Sequence, residues 1–457
     1  MTIVYVMGLF IQILDATIVN VALPALAREF EVSVDSVEWV VLSYVLAVAV
    51  IIPTAGWFGD RFGTKRVFLG ALIAFTIASA ACGAARSLDQ LIAARALQGM
   101  AAGMITPIGS ALLFRAYPMA ERARAASYVV SVAVIAPAVG PVLGGILVDG
   151  ASWRWIFLVN LPIGTLATLL GIAWLSGTDD NEAGPFDAAG FFLAGAGLAC
   201  SLLGLSLAPD RGMTDPLVLG TLGLGVVLLV AMVKVELGLE QPILALRLLG
   251  DRLFRQMNIV TLFTFGGFIG HVYLFSIYLQ DFRGTSAKLT GLTQAPQAVG
   301  VFIISSLLGR TLYRKFGPRR LLTLGVGVTG LSTGAFVASS AATPLVVFGT
   351  LMLIRGLAMG LVFVSIQTAV YSNISNADTA RATSLFNSNR QAAGAIGVAA
   401  AAAIVAAVGP DAASTGAEIT SERLLAYRSA FGALALLFVP AVVFAFGVVD
   451  QDAAGTR

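Results

Sequence analysis

Gly56-Trp-Phe-Gly-Asp-Arg-Phe-Gly-Thr-Lys-Arg66 is the stretch of sequence that decides how this chain is organised. It separates two hydrophobic runs that are each long enough to cross a membrane, and seven of its eleven residues are glycine or charged. The glycines permit a tight turn and close helix contact. Arg61, Lys65 and Arg66 favour the cytoplasmic face of a membrane for this turn. The stretch therefore predicts a helical hairpin whose turn faces the cytoplasm.

The composition of the whole chain is that of an integral membrane protein. Of the 457 residues, 58% are hydrophobic and 12% are charged, and the mean hydropathy is +0.90. Because soluble domains carry about 25% charged residues, we expect little of this chain to lie outside a bilayer. The net charge of +3 does not point to nucleic acid, and we expect no such partner. Cys82 and Cys200 both lie in apolar runs, which favours buried thiols over a disulfide.

Long apolar runs predict fourteen membrane-spanning helices, since a spanning helix needs about 20 mainly apolar residues. The predicted spans are 3–27, 36–58, 67–86, 89–115, 124–148, 154–176, 187–208, 215–236, 257–280, 289–312, 321–340, 343–370, 383–409 and 424–449. If both termini are cytoplasmic, 17 basic residues fall on the cytoplasmic side and 8 fall outside. The positive-inside rule favours this orientation. Arg95, Arg355 and Arg390 are left within predicted helices.

The hairpin stretch is part of an internal repeat. Gly309-Arg-Thr-Leu-Tyr-Arg-Lys-Phe-Gly317-Pro-Arg-Arg320 resembles it about 254 residues later. Arg355-Gly-Leu-Ala-Met-Gly likewise resembles Arg95-Ala-Leu-Gln-Gly at a similar offset. Arg314 stands where the second copy would carry the equivalent of Asp60, so the acidic residue is expected to act in the first copy alone.

The repeat predicts the division of the chain into three parts. Two parallel copies of a six-helix unit are expected, over residues 1–180 and 251–457. Residues 181–250 hold the two remaining predicted helices as a transmembrane linker. We therefore predict an all-α integral membrane protein with two six-helix bundles and a pair of linker helices.

The chain resembles the major facilitator superfamily over nearly its whole length. The residues of the hairpin that match the family's loop between helices 2 and 3 are Gly56, Gly59, Asp60, Arg61, Gly63, Lys65 and Arg66. Fourteen helices arranged as six, two and six resemble the drug:proton antiporter branch, which includes multidrug exporters. The resemblance implies a secondary transporter that works by alternating access, with this loop as a conformational latch. We expect Asp60 to contact the start of the helix that opens at Arg381 when the cytoplasmic side is closed.

Asp15, Arg95 and His271 are the candidates for proton coupling. Asp15 lies midway along the first span, and ionisable residues within membrane spans usually mark functional sites. The resemblance associates this aspartate with proton coupling or cation binding, and it gives Arg95 a role in proton transfer or in holding the carboxylate. His271, the only histidine, follows Asp15 by one repeat length, so we predict that it faces Asp15 across a central cavity. Purely structural roles for these three residues are the open alternatives.

Prolines and glycines in the fifth predicted span indicate the direction of transport. They are Pro137, Gly140, Pro141, Gly144 and Gly145. The prolines permit a kink, and the glycines let another helix approach closely. By resemblance to the family, this pattern marks antiporters; generic helix packing is the alternative.

A mostly apolar cavity with a few polar groups is expected between the bundles, and such a cavity suits lipophilic substrates. The predicted lining residues are Asp15, Asn20, Tyr44, Gln98, Met104, Gln297, Gln367 and Asn387, together with Phe265, Gln294 and Phe363. A carboxylate in the cavity favours a cationic substrate, although Arg95 and Arg355 oppose this preference.

The function predicted from these features is proton-coupled efflux of lipophilic, cationic drugs by a monomer in a bacterial inner membrane. No Gly-x-x-x-x-Gly-Lys-Ser/Thr phosphate loop occurs, so we expect an ion gradient as the energy source and neither a cofactor nor a metal. Substrate, protons and lipid are the expected partners. An enzyme is not expected, because the chain offers little catalytic chemistry. Export of a lipid, siderophore or metabolite, or a role as a non-transporting scaffold or sensor, remains open.

Overall fold

The computed structural model of the chain consists of long helices joined by short turns. The structure describes residues 1–32, 34–118, 121, 125, 128, 129, 132, 136, 139, 140, 143–148, 150–175, 185–212, 215–239, 244–285, 287–375, 378–409 and 417–450.

The helices fall into an N-terminal group, a linker pair and a C-terminal group. The first group contains α1 Thr2–Glu29, α2 Val34–Ile51, α3 Ala55–Phe62, α4 Thr64–Ala84, α5 Leu88–Ala116, α6 Trp155–Leu158 and α7 Asn160–Trp174. The linker pair is α8 Ala188–Arg211 and α9 Pro216–Glu236. The C-terminal group contains α10 Arg252–Ile277, α11 Ala287–Phe302, α12 Gly309–Ala335, α13 Leu345–Ala369, α14 Thr379–Val408, α15 Ala417–Leu436 and α16 Phe438–Phe446.

Ten helices of the described chain are long and apolar enough to cross a membrane, and they coincide with ten of the predicted spans. Helices α8, α11 and α14 lie at three of the other predicted spans. The remaining span, 124–148, lies largely outside the described residues. The protein is therefore all-helical and multi-pass, whereas the count of fourteen and the cytoplasmic placement of both termini stay predictions.

Equivalent glycines make the same turn in both halves of the chain. Gly63 has φ 84° between α3 and α4, and Gly317 has φ 75° at a bend within α12. The two residues are 317 − 63 = 254 positions apart, which is the offset of the sequence repeat. A positive φ of this size strains any residue that carries a Cβ, so glycine suits both turns. The backbone conformation thus supports the internal repeat.

The linker pair packs between the two larger groups. Helices α8 and α9 lie along each other, and α8 also contacts α2 of the N-terminal group and α14 of the C-terminal group. Within each larger group the helices pack mainly on one another. This arrangement is consistent with two bundles and an inserted pair, and the boundaries at 180 and 250 stay predictions.

Helices α10 and α14 cross at Gly266, Gly270 and Gly397, where the backbones of the two helices are in direct contact. A Cβ atom on Gly270 would lie 2.5 Å from the carbonyl oxygen of Gly397, and one on Gly397 would overlap the carbonyl oxygen of Gly266. Small residues that allow such close approach are typical of helix pairs in membranes. Gly394, one turn earlier on α14, would place its Cβ 3.6 Å from side-chain atoms of Ile269.

We expect Gly397→Ala to destabilise the protein by about 1–3 kcal/mol, because the added methyl group must push two helix backbones apart. Gly394→Ala is the matched control and should leave stability nearly unchanged, since its methyl group has ordinary van der Waals space. The measurement is the thermal midpoint of the detergent-solubilised protein, followed by size-exclusion chromatography. Equal midpoints for the two variants would contradict the close crossing.

Candidate functional site

The carboxylate of Asp15 lies completely buried in the middle of α1. It accepts hydrogen bonds from Arg95 Nη1 at 2.5 Å, from Gln98 Nε2 at 2.9 Å and from Asn160 Nδ2 at 2.8 Å. The three donors come from α5 and α7. A carboxylate within the membrane is tolerated when a charged partner and further donors satisfy it, and Asp15 has both.

Ser79 extends this set of contacts to α4. Its Oγ atom accepts hydrogen bonds from Gln98 Nε2 at 3.1 Å and from Asn160 Nδ2 at 3.0 Å, and it donates to the carbonyl oxygen of Phe157 at 2.9 Å. Asp15, Ser79, Arg95, Gln98 and Asn160 are each at most 1% exposed. We refer to these five residues as the Asp15 network.

The guanidinium of Arg95 joins the network to α2. Its Nε atom donates to the carbonyl oxygen of Val40 at 3.1 Å, and Nη1 also donates to Gln98 Oε1 at 2.7 Å. The Cζ atom lies 4.1 Å from the centre of the Tyr44 ring, a distance at which a cation is attracted to an aromatic face. The Asp15 network therefore ties together α1, α2, α4, α5 and α7.

Two members of the Asp15 network were not predicted from the sequence. Asn160 could have been noticed, because it is an amide in an otherwise apolar span. Ser79 gives no such signal, since it lies among small residues typical of helix packing. Asp15 and Arg95, which were predicted for proton coupling, do come together.

His271 lies inside the C-terminal group rather than opposite Asp15, and this corrects the prediction. Its side chain is completely buried. Its ring centroid lies 5.9 Å from that of Phe275, 4.6 Å from Phe336 and 5.3 Å from Phe431. These aromatic residues of the C-terminal group enclose the imidazole ring. Neither ring nitrogen has a hydrogen-bond partner among the described residues.

Several residues predicted to line a cavity are buried in this conformation, which is a second correction. Tyr44, Gln98, Met104 and Asn387 are at most 8% exposed. Tyr44 and Gln98 hold Arg95, Met104 belongs to an apolar core, and Asn387 Nδ2 donates to a carbonyl oxygen of its own helix.

The remaining predicted lining residues have different surroundings. Gln297 and Gln367 are partly buried, and Gln297 accepts a hydrogen bond from Arg355 Nη1. Phe265 and Phe363 are also partly buried. The side chain of Asn20 lies outside the described residues.

The glycines of the fifth predicted span differ in their surroundings. A Cβ atom on Gly140 would overlap Thr17 of α1, and one on Gly144 would lie 2.9 Å from Ile18. These two glycines therefore allow close approach to α1, as predicted, whereas Gly145 has nothing within 4 Å of its Cβ position. Pro137 and Pro141 lie outside the described residues. The antiporter role of this pattern stays a prediction.

Asp60 makes the contact expected for a latch. Its Oδ2 atom lies 2.8 Å from Arg381 Nε in the first turn of α14, and the two side chains are 11% and 14% exposed.

The other predicted latch residues lie in or beside the same turn. Gly56 is buried, Gly63 has the positive φ described above, Arg61 is exposed, and Lys65 Nζ donates to the carbonyl oxygen of Ile172 at 3.4 Å. Arg66 is exposed at the start of α4.

Further contacts join the bundles beside this ion pair. Ser384 Oγ of α14 donates to the carbonyl oxygens of Ile52 at 2.6 Å and Pro53 at 3.0 Å. The rings of Phe114 and Tyr371 lie 5.3 Å apart, across the ends of α5 and α13. We call the membrane face that carries Gly63 the loop face, and these contacts together the loop-face gate. In this conformation the bundles are closed at the loop face.

Replacing His271 by leucine should leave transport and its pH dependence unchanged. The change removes a buried polar ring that has no hydrogen bond to the described residues, so stability should be equal or higher by about 1–3 kcal/mol. His271→Gln keeps a buried polar group and should not gain stability. Thermal midpoints and efflux at several pH values measure the two effects. A loss of pH-dependent efflux in His271→Leu would contradict a packing role.

Neutralising Asp60 should open the loop-face gate, because Arg381 then loses its ionic partner. The reporter is Ser384→Cys in a background without Cys82 and Cys200. We expect Asp60→Asn to raise the rate at which a water-soluble maleimide labels this cysteine by about threefold to tenfold. This factor corresponds to the loss of about 1 kcal/mol of ion-pair free energy between Asp60 and Arg381. The exchanged pair Asp60→Arg with Arg381→Asp should restore slow labelling. Fast labelling in the exchanged pair would show that the two charges do not hold the gate.

Comparison with known proteins agrees with this architecture. The sequence profile of the Major Facilitator Superfamily matches residues 5–398. A multidrug resistance protein B homolog of Mycobacterium tuberculosis is 34% identical over 389 residues, which cover 84% of this chain and 72% of the relative. The multidrug export protein EmrB of Haemophilus influenzae is 32% identical over 404 residues, which cover 87% and 78%.

A solved structure is also similar. The human organic anion transporter MFSD10 superposes with a TM-score of 0.70 at 16% identity, covering 97% of this chain and 98% of that one. At that identity the likeness concerns the fold and not the substrate. The profile match and the bacterial relatives together show that the chain belongs to the Major Facilitator Superfamily of membrane transporters.

Proposed function

We propose that the protein exports lipophilic compounds across the cytoplasmic membrane in exchange for protons, by alternating access. The observation that carries this proposal is the Asp15 network, which holds an ionisable carboxylate within a membrane-spanning helix and joins that helix to four others. Buried acids of this kind mark ion pathways and proton relays in transporters. The names of the bacterial relatives support drug-like compounds as substrates.

Proton binding at Asp15 is the step that we place at the centre of the mechanism. When Asp15 is ionised, its charge is balanced by the guanidinium of Arg95. A proton on Asp15 removes that balance and leaves Arg95 with the carbonyl oxygen of Val40, the amide oxygen of Gln98 and the ring of Tyr44. The attraction between α1 and α5 then weakens, while the contacts to α2 remain. Proton binding and release thus change the relative strength of the contacts that α5 makes with α1 and with α2.

Helices α2 and α3 connect the proton site to the loop-face gate. They follow each other through a short helical turn at Ile52–Thr54. Tyr44, ten residues after the start of this unit, contacts Arg95, and Asp60 pairs with Arg381 near its C-terminal end. Sixteen helical residues separate the two sites, or about 24 Å at 1.5 Å per residue. A shift of α2 at Arg95 is therefore carried to the gate.

The proton gradient supplies enough free energy for this exchange. One proton that crosses a membrane potential of 100 mV releases about 2.3 kcal/mol. Each unit of pH difference adds about 1.4 kcal/mol. One proton per molecule therefore sustains a substantial concentration gradient of the exported compound.

The structure does not support the expectation that the substrate is cationic. It rested on a carboxylate exposed to the cavity, whereas Asp15 is completely buried and paired with Arg95. The charge of the substrate must therefore be inferred from other residues.

The test is efflux from proteoliposomes under an imposed pH gradient, with two fluorescent probes of opposite charge, pyrenesulfonate and pyrenylmethyl-trimethylammonium. We expect wild type to drive at least one of them uphill. Asp15→Asn should lower that rate about tenfold or more, because the neutral amide cannot exchange a proton. Glu29→Gln is the matched control: it removes a carboxylate from the same helix that is 45% exposed. Full gradient-driven efflux by Asp15→Asn would refute coupling at this residue.

A further inference from the structure

Three arginines lie within the predicted helices, and they differ in how their charge is balanced. Arg95 is paired with Asp15 in the N-terminal group. Neither Arg355 nor Arg390, both in the C-terminal group, has a carboxylate within 4 Å among the described residues. The described part of the C-terminal group therefore carries positive charge at membrane depth that the protein itself does not pair.

Arg355 is completely buried and firmly held by neutral groups. Its Nε atom donates to Thr333 Oγ1 at 3.2 Å, Nη2 donates to the carbonyl oxygen of Phe268 at 3.1 Å, and Nη1 donates to Gln297 Oε1. The Cζ atom lies 4.6 Å from the centre of the Phe268 ring. Three of the five N–H donors of Arg355 thus have neutral acceptors, and these acceptors do not balance its charge.

Arg390 occupies a more open position between the two bundles. It lies nine residues after Arg381 on α14, or about 13 Å deeper in the membrane than the loop-face gate. Its side chain is partly exposed, and its helix contacts α3 and α5 of the N-terminal group as well as α10 of its own group. Arg390 is therefore a cation on a helix that meets both bundles.

Aromatic rings form a row beside Arg390. Its Cζ atom lies 5.7 Å from the centre of the Phe265 ring. The Phe265 ring lies 5.4 Å from that of Phe363, which lies 6.1 Å from Phe268 under Arg355. All three rings are partly buried. The row thus runs from one arginine to the other along α10 and α13.

We propose that Arg390 binds the anionic group of an aromatic organic acid, whose ring packs on Phe265, Phe363 and Phe268. The guanidinium offers a planar set of donors suited to a carboxylate or sulfonate, and ring faces accept an apolar aromatic body. Arg355 adds a fixed positive potential at the far end of the row. A permanent organic cation would instead approach two charges of its own sign. The proposal rests on the proposed export function and gives it a substrate class.

Anion export has a consequence for the coupling. An anion that leaves while one proton enters moves two charges in the direction that an inside-negative potential favours, whereas exchange of a monovalent cation for one proton is electroneutral. Transport of the sulfonate should therefore depend on membrane potential as well as on the pH difference.

Binding to the full-length protein in phosphatidylcholine nanodiscs tests the proposal directly. Fluorescence polarisation should show that pyrenesulfonate binds at least about tenfold more tightly than pyrenylmethyl-trimethylammonium. Arg390→Gln should weaken binding of the sulfonate about tenfold or more without weakening binding of the cation, and Arg390→Lys should recover part of the loss. Arg255→Gln, which changes an exposed arginine at the loop face, should alter neither affinity.

Tighter binding of the cation by wild type, or unchanged sulfonate affinity in Arg390→Gln, would overturn the proposal. Loss of sulfonate binding when phosphatidylglycerol is added to the nanodiscs would also overturn it, by assigning Arg390 to a lipid headgroup. Gradient-driven efflux of the cation alone would refute the anion site while upholding proton-coupled export. Arg390-dependent sulfonate binding without gradient-driven efflux of either probe would support the site and refute the export function.

Discussion

An ionised carboxylate in the hydrocarbon region is unstable unless a cation and further hydrogen-bond donors accompany it. The N-terminal bundle meets this requirement at Asp15, and the groups that do so come from separate helices. Arg95 and Gln98 come from α5, Asn160 from α7 and Ser79 from α4. The need to satisfy one buried charge therefore determines how these helices are arranged around α1. A change in the charge of Asp15 therefore alters the contacts that hold all of these helices together.

In the proposed mechanism, α2 and α3 connect the Asp15 network to the loop-face gate. The linker pair also lies along this route. A Cβ on Gly195 of α8 would lie 3.0 Å from Val50, and the ring of Phe186, just before α8, lies 4.9 Å from that of Trp57 in α3. A movement of α2 and α3 must therefore be accommodated by α8, which also contacts α14. The inserted helices are in a position to move with the gate.

The two halves share a backbone plan but differ in chemistry. Gly63 and Gly317 make equivalent turns, and Arg95 has a counterpart in Arg355. Arg95 is neutralised by a carboxylate, whereas Arg355 is held by neutral oxygen atoms. Likewise, His271 follows Asp15 by one repeat length in the sequence, but it lies among phenylalanine rings. This asymmetry is consistent with the two proposed roles, in which the first half exchanges protons and the second half binds substrate.

The sequence by itself determined the membrane class, the internal repeat, the hairpin at Gly63 and the contact between Asp60 and the start of α14. These features follow from local patterns, because apolar length, glycine and clustered charge act over one or two neighbouring helices. Only the tertiary structure decided which polar residues meet. Asn160 and Ser79 join the Asp15 network from separate helices, and His271 is enclosed by aromatic rings of the C-terminal group. The reason is geometric: in a helix that is apolar on every side, the sequence does not indicate which face meets lipid, a neighbouring helix or the substrate route.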